Sequence, residues 1–301
     1  MGGNNDFFFN FERNKYLKKL PSMQRVKLCL LGNSIENGLT ILNLQHQIPA
    51  LYSNHTVQRL ESVRKRQKDE PGAAELQGRT DLTHLNTFTI DPPGSTDIDD
   101  ALSVEPYHED YKVGVHIADV SSYVKKDDQV DEEARERSTT FYSGIRRPRH
   151  MLPEPLSTNL CSLLPHKLRL TISVFFYLNS KGKPIQMEGN NFEIKLSYIK
   201  SRHQLTYSEA QRMINGERED HPSCTDIKRL YQLAKAVRRQ RLGAAMFAVD
   251  LEEDEALEDD LALEAHYLVE EFMIMANKKV AQVLTLKFPH CVPLRWVFSF
   301  L

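Results

Sequence analysis

The sequence predicts an α+β fold, a mixed or antiparallel sheet laid down first and helices packed on it afterwards. β-Prone runs crowd the stretch from 87 to 199, where residues such as 192 to 199 alternate apolar and polar with the two-residue period of a strand. Runs with the helical period fill 207 to 284 instead. No internal repeat interrupts this order, so one sheet followed by one helical layer is the simplest arrangement.

The elements follow in order. Residues 1 to about 24 are aromatic and basic without clear periodicity. Val26-Lys-Leu28-Cys-Leu30 and Leu39-Thr-Ile41-Leu42, either side of Gly32-Asn33, predict two short strands, which gives residues 1–60 a small β element. Residues 61–80 are rich in Lys, Arg, Glu and Gly and predict a linker or an exposed helix. The main domain is expected over 81–301. Its strands are Thr87-Phe88-Thr89-Ile90, Val113-Gly-Val115-His116-Ile117, Thr171 to Leu178, Ile185-Gln-Met187 and Phe192 to Ile199, arranged as a meander around the turn Asn179-Ser-Lys-Gly182. A charged helix is expected over Asp128 to Arg137. Three more run over Tyr207 to Ile214, Thr225 to Arg241 with Leu230, Ala234 and Val237 on one face, and Glu264 to Leu284.

Composition narrows the class of protein. With 301 residues, 41% of them apolar, the chain can bury a substantial core. No apolar run approaches the ~20 residues that span a bilayer, so no membrane partner is expected. The start, Met-Gly-Gly-Asn-Asn-Asp, lacks the basic and apolar regions of an export signal, and Asp6 stands where a myristoylation pattern needs Ser or Thr. Cys29, Cys161, Cys224 and Cys291 show no paired spacing and read as reduced thiols. An intracellular protein, cytoplasmic or nuclear, is expected. The net charge of −2 averages two unlike parts: residues 250 to 264 hold nine acids and no base, leaving 39 basic against 32 acidic residues elsewhere. Basic clusters such as Arg146-Arg147-Pro-Arg149-His150 and Lys228 to Arg241 suit a polyanionic partner.

The run Asp91-Pro-Pro-Gly-Ser-Thr-Asp97-Ile-Asp99-Asp100 carries the most chemistry. Carboxylates this close repel one another, and a hard divalent cation is the simplest neutralising partner. Mg²⁺ takes one or two carboxylates directly and completes its shell with water and substrate phosphate. An acidic surface turn is the competing reading, since Pro-Pro-Gly and aspartate both favour loops. An EF-hand calcium loop does not fit the spacing of the acids.

Three further segments accompany this run: Val115-His116-Ile117-Ala118-Asp119-Val120-Ser121, Met151-Leu-Pro153-Glu154-Pro-Leu156-Ser157 running into Leu160-Cys161-Ser162-Leu163, and Leu268-Val269-Glu270-Glu271-Phe272-Met273 ending in Ala276-Asn277. In this order and spacing the set resembles the RNB domain of the ribonuclease II/R and Dis3 family, over some 220 residues from about Asp81 to the C-terminus. The resemblance implies the RNB exoribonuclease fold. It also implies processive hydrolysis of single-stranded RNA from its 3′ end, Mg²⁺ as cofactor, and release of nucleoside 5′-monophosphates.

Carried over position by position, the resemblance makes Asp91, Asp97, Asp99 and Asp100 the motif aspartates that bind metal or place the reacting water, Asp99 among them counted as catalytic. Tyr142 falls at a channel aromatic, Phe247 at a base-clamping aromatic and Tyr207 at an aromatic touching the terminal nucleotides; plain core aromatics are the alternative for each. Independently of the resemblance, the basic run of Arg146, Arg147 and Arg149 would grip phosphates or form a solvated turn. Glu270 matches a glutamate that supports catalysis, against the alternative of a structural salt bridge, because a carboxylate on an apolar helix needs a partner. His116 and Asp119 are expected to brace the sheet. The resemblance also makes the β element of 1–60 a remnant of an OB- or cold-shock-like domain.

Two departures stand out. The family places an arginine in a Thr-Ser-Pro-Ile-Arg-like segment beyond the glutamates, and the chain ends at Leu301 without it, so an incomplete RNB domain from a longer parent is expected. The 248 to 262 connection is short and acidic where the family has a β-hairpin. A binding segment of a larger helicase-type protein, with turnover impaired, is therefore the alternative to an active exoribonuclease.

Overall fold

The computed structural model describes residues 51–66, 70–142, 148–185, 191–243 and 263–290, with side chains left out over 62–66. The strands expected at 26–30 and 39–42 lie outside these residues, as does most of the one at 185–187. The chain divides into two units, Met1–Ser62 with Lys125–Pro153, and Val63–Val124 with Glu154–Leu301.

The smaller unit contains the start of helix α1 (Asn54–Arg66) and helix α2 (Gln129–Arg137). Asp128 caps α2 by accepting from the Val130 and Asp131 amides, the role its place before a charged helical run predicts. Ser138 ends it in the left-handed region at φ 63°. The Tyr52 hydroxyl donates to the carbonyls of His150 (2.7 Å) and Leu152 (3.0 Å), and Arg137 lies over the Tyr52 ring.

The larger unit is built on one seven-stranded sheet: β1 (Thr80–Asp81), β2 (Phe88–Asp91), β3 (Asp100–Tyr107), β4 (Asp110–Ala118), β5 (Leu168–Leu178), β6 (Phe192–Lys200) and β7 (His203–Thr206). The spatial order is β1-β6-β5-β4-β3-β2-β7. Strands β3 to β6 form an antiparallel meander, and β1 on β6 and β7 on β2 add a parallel pair at each side. Helices α3 (Tyr207–Ile214), α4 (Cys224–Leu242) and α5 (Leu263–Lys287) follow the sheet in sequence. The fold class is the predicted one.

Alternation assigns the two faces of the sheet. Phe88, Ile90, Leu102, Val104, Val113, Val115, Val174 and Phe176 pack with Met213, Ile227, Leu230, Leu233, Leu268 and Phe272 of the helices. The other face buries Leu82, Leu85, Ile98, Ala101, Leu163, Phe175 and Ile199. A polar row crosses that second face: Ser103 Oγ lies 2.9 Å from His116 Nε2, His116 Nδ1 2.7 Å from Ser173 Oγ, and Ser197 Oγ 2.6 Å from Ser173 Oγ and 2.8 Å from Thr171 Oγ1. Burial, with help from Lys112, pushes the His116 imidazole down to about 3 and holds it neutral. Gly114 makes the row possible, because a Cβ there would sit 2.5 Å from Ser103 Oγ and 2.7 Å from His116 Nε2.

Asp119 directly follows β4 and is 3% exposed, which would be costly without a partner. Arg79 supplies one at 2.5 Å, and the Ser121 and Ser122 hydroxyls donate at 2.7 Å each. The same guanidinium donates to the carbonyls of Thr171 and Ser197, tying β1, β5 and β6 together. His116 and Asp119 thus brace the sheet, as expected. Among the described residues no helix is long and apolar enough to cross a membrane.

Candidate active site

The aspartate loop leaves the end of β2 and returns as β3. Pro92-Pro93-Gly94-Ser95 is a turn closed by Ser95 N donating to Pro92 O, with Gly94 at φ 80°. That positive φ at the third position is the requirement of a type II turn with proline before it. Beyond the turn the loop is clamped from several elements. Ile98 is fully buried between Asp97 and Asp99. Its amide donates to Ser162 Oγ (3.0 Å), its carbonyl accepts from the Leu163 amide, and the Ser162 hydroxyl donates to Thr96 O (2.8 Å). Gln204 Nε2 donates to Ser95 O, and the Ala118 amide donates to Asp99 O.

The Leu160-Cys161-Ser162-Leu163 segment is therefore the latch of the aspartate loop. Its own position is fixed by Arg169, 1% exposed, which donates to Ser162 O and Asn159 Oδ1. Sequence reading picked out this segment without finding its role. The missing signal was a contact across 64 residues, from Ser162 to Ile98.

Inside this frame the carboxylates face one another in partly desolvated positions. Burial pushes Asp91 up to about 6; the Thr89 hydroxyl pulls it partly back without reaching hydrogen-bond geometry, and Asp99 and Asp97 push it further up. Burial, then repulsion from Asp91 and Asp99, raises Asp100 to about 7. Asp99 is raised by burial and by Asp97. Asp91 Oδ2 is buried and accepts no hydrogen bond. A buried carboxylate oxygen without a donor, among acids that repel each other, is an arrangement that a bound cation would neutralise.

The donor set is all oxygen, as a hard divalent cation requires. Among the described residues no group of three or more His, Cys, Asp or Glu side chains is placed to hold a metal ion together. An open cluster of this kind fits Mg²⁺, which usually keeps several waters and uses one or two carboxylates together with substrate phosphate.

Tyr207 adjoins the cluster. It directly follows Thr206, the register partner of Asp91 across β2 and β7. A capping box at Thr206 and Glu209 fixes it as the first residue of α3. Burial, then the charges of Asp100 and Asp91, push its phenol up to about 12. Its ring stacks on His266 of α5 at 3.7 Å between centroids and 16° between planes. His266 escaped the sequence reading because nothing in its neighbourhood on α5 points to Tyr207, 59 positions away.

The glutamate pair divides its labour. Glu271 is fully buried, 3.3 Å from Arg238 and doubly bonded by Arg241, so this residue forms the structural salt bridge. Glu270 is about half exposed and 3.4 Å from Arg238. Arg238 also lies 3.6 Å over the Tyr267 ring. Tyr142 belongs to the smaller unit, follows the isolated bridge between Phe141 and Arg149, and is 62% exposed. Arg146, Arg147 and Phe247 lie outside the described residues.

A seven-stranded mixed sheet carrying a clamped aspartate loop, with helices over one face, defines the class, and the RNB domain profile matches residues 79–297. The chain belongs to the RNB family. The 3′-5′ exoribonuclease HELZ2 of Mus musculus is 37% identical over 87% of this chain. Ribonuclease R of Aquifex aeolicus is 32% identical over 88% of the chain. The chain spans only 9% and 38% of these two relatives. Among solved structures, Mycoplasma genitalium RNase R in complex with ribose-methylated single-stranded RNA aligns over 85% of this chain and 41% of its own, with a TM-score of 0.68 and 24% identity. Yeast Ssd1, described as a pseudonuclease, aligns over 72% of this chain and 28% of its own at a TM-score of 0.58 and 21% identity.

Proposed function

We propose that this chain is the catalytic segment of a Mg²⁺-dependent hydrolytic 3′-to-5′ exoribonuclease acting on single-stranded RNA and releasing nucleoside 5′-monophosphates. Because a pseudonuclease shares the fold, the fold alone does not support turnover. The supporting observation is the partly buried, mutually repelling carboxylate cluster with its buried, unbonded Asp91 Oδ2. A pure RNA-binding module gains nothing from such charge beside a phosphate backbone.

In this reading Asp91, Asp97, Asp99 and Asp100 would hold Mg²⁺ or place the reacting water. The ion would supply charge neutralisation at the scissile phosphate, a lowered pKa for an attacking water and stabilisation of a departing 3′ oxygen. Asp99 also orients the attacking water. Tyr207 contacts the terminal nucleotides, Tyr142 and Phe247 stack on bases, Arg146 and Arg147 hold phosphates, and Glu270 supports the reaction from α5. Stacking suits a non-specific thread because every base has a π face, at ~1–3 kcal/mol per base.

The test uses 5′-labelled single-stranded RNA with Mg²⁺. The label is expected in a ladder that shortens from the 3′ end, and Asp99→Asn is expected to stop the shortening while RNA is still bound. RNA that binds and stays intact would leave the chain as a binding segment.

A further inference from the structure

We infer that His266 is a base-stacking, substrate-positioning residue of this site, its imidazole laid on Tyr207 so that the opposite ring face receives the base at the RNA 3′ end. The inference rests on the exoribonuclease reading and adds to it a residue and a contact chemistry.

Three observations carry it. The first is the geometry of the pair. The rings lie nearly parallel at 3.7 Å, so Tyr207 covers one imidazole face, yet His266 is exposed and no second ring stacks on it among the described residues. The second is the absence of another role. The ring nitrogens of His266 take no hydrogen bond or ion pair among the described residues, in contrast to His116 with its two serines. The third is place. Tyr207 follows the register partner of Asp91, so the ring pair stands at the carboxylate end of the sheet. His266 also precedes the half-exposed Glu270 by four residues, which puts both on one side of α5.

An exposed aromatic ring next to a carboxylate cluster suits a neutral planar group better than an anionic one. Of the parts of an RNA end, the base is that group. The phosphate belongs with the cation, and the base is left to stack.

The experiment places 2-aminopurine at the 3′ terminus of a short single-stranded RNA and adds it to the whole chain in EDTA, where no hydrolysis occurs. Fluorescence quenching reports stacking, anisotropy reports affinity, and thermal melting is recorded for each variant. Wild type and His266→Phe are expected to quench. His266→Ala and His266→Gln are expected to lose most of the quenching and about tenfold in affinity, the size of one base stack, with melting unchanged. The loss is expected to be larger for a terminal purine than for a terminal uracil. Quenching by His266→Ala equal to wild type overturns the inference, as does a loss shared by His266→Phe. RNA that is quenched in EDTA but never shortened in Mg²⁺ leaves the stacking contact standing and removes the hydrolytic reading alone. Absence of RNA binding by wild type removes both.

Discussion

Asp100 and Asp91 hold protons that ordinary carboxylates release, at about 7 and about 6. The dominant cause is burial, and mutual repulsion adds to it. An acid whose folded pKa lies above its unfolded value binds more protons when folded. Stability from these groups is therefore highest below the unfolded pKa and falls as pH rises toward 7. Without metal, Asp100→Asn is expected to raise the melting temperature by a few degrees at pH 8 and to change little near pH 4. Mg²⁺ is expected to stabilise wild type more at pH 8 than at pH 5, and Asp100→Asn less than wild type. A pH-independent metal shift in melting would contradict this cause. The two glutamates of α5 separate in the same way. Glu271→Gln strips a fully buried partner from Arg238 and Arg241 and should cost about 3–5 kcal/mol. Glu270 is itself half exposed and Arg238 keeps Glu271 as a partner, so Glu270→Gln should leave stability within about 0.5 kcal/mol, and any loss of turnover there is read as chemistry. Denaturant unfolding of both variants checks the pair.

The aspartate loop and its latch form the element on which the site depends. Ser162→Ala leaves the Ile98 amide buried without an acceptor, at about 1–3 kcal/mol, and should weaken Mg²⁺ binding because the Asp97-Ile98-Asp99 backbone loses its anchor. Calorimetric Mg²⁺ titration of this variant, with the Mg²⁺ affinity of Ser173→Ala, which makes no hydrogen bond to the loop, as a control, distinguishes the latch from general loss of stability. Several elements were legible in sequence: α3 matches its predicted span, and β4, β5 and β6 extend theirs by only a few residues at the ends. The misses have physical reasons. β3 begins on Asp100, directly after Asp99, and ends on Pro106-Tyr107, so its ends read as loop while Leu102 and Val104 sit in the core. β7, four residues long, is too short for any period and exists through parallel pairing with β2. The site was half legible. Clustered acids reveal themselves by charge, whereas Ser162, Gln204 and His266 act only through contacts made by the completed sheet and helices.

At the scale of the molecule, the sheet holds four aspartates together at a cost in repulsion, and the helical layer brings Tyr207 and His266 beside them. The polar row through Ser103, His116 and Ser173 makes the second face intolerant of added bulk. Gly114→Ala should cost about 1–3 kcal/mol, a lowering of stability visible in denaturant midpoints without any change in metal affinity per folded molecule. The central claim is that this arrangement hydrolyses RNA from its 3′ end. It is tested most directly by digesting single-stranded RNA in ¹⁸O-water with Mg²⁺ and weighing the products. The expected result is nucleoside 5′-monophosphates carrying one ¹⁸O in the phosphate, absent with Asp99→Asn. RNA left intact, products bearing 3′-phosphates, or release unaffected by Asp99→Asn would contradict it.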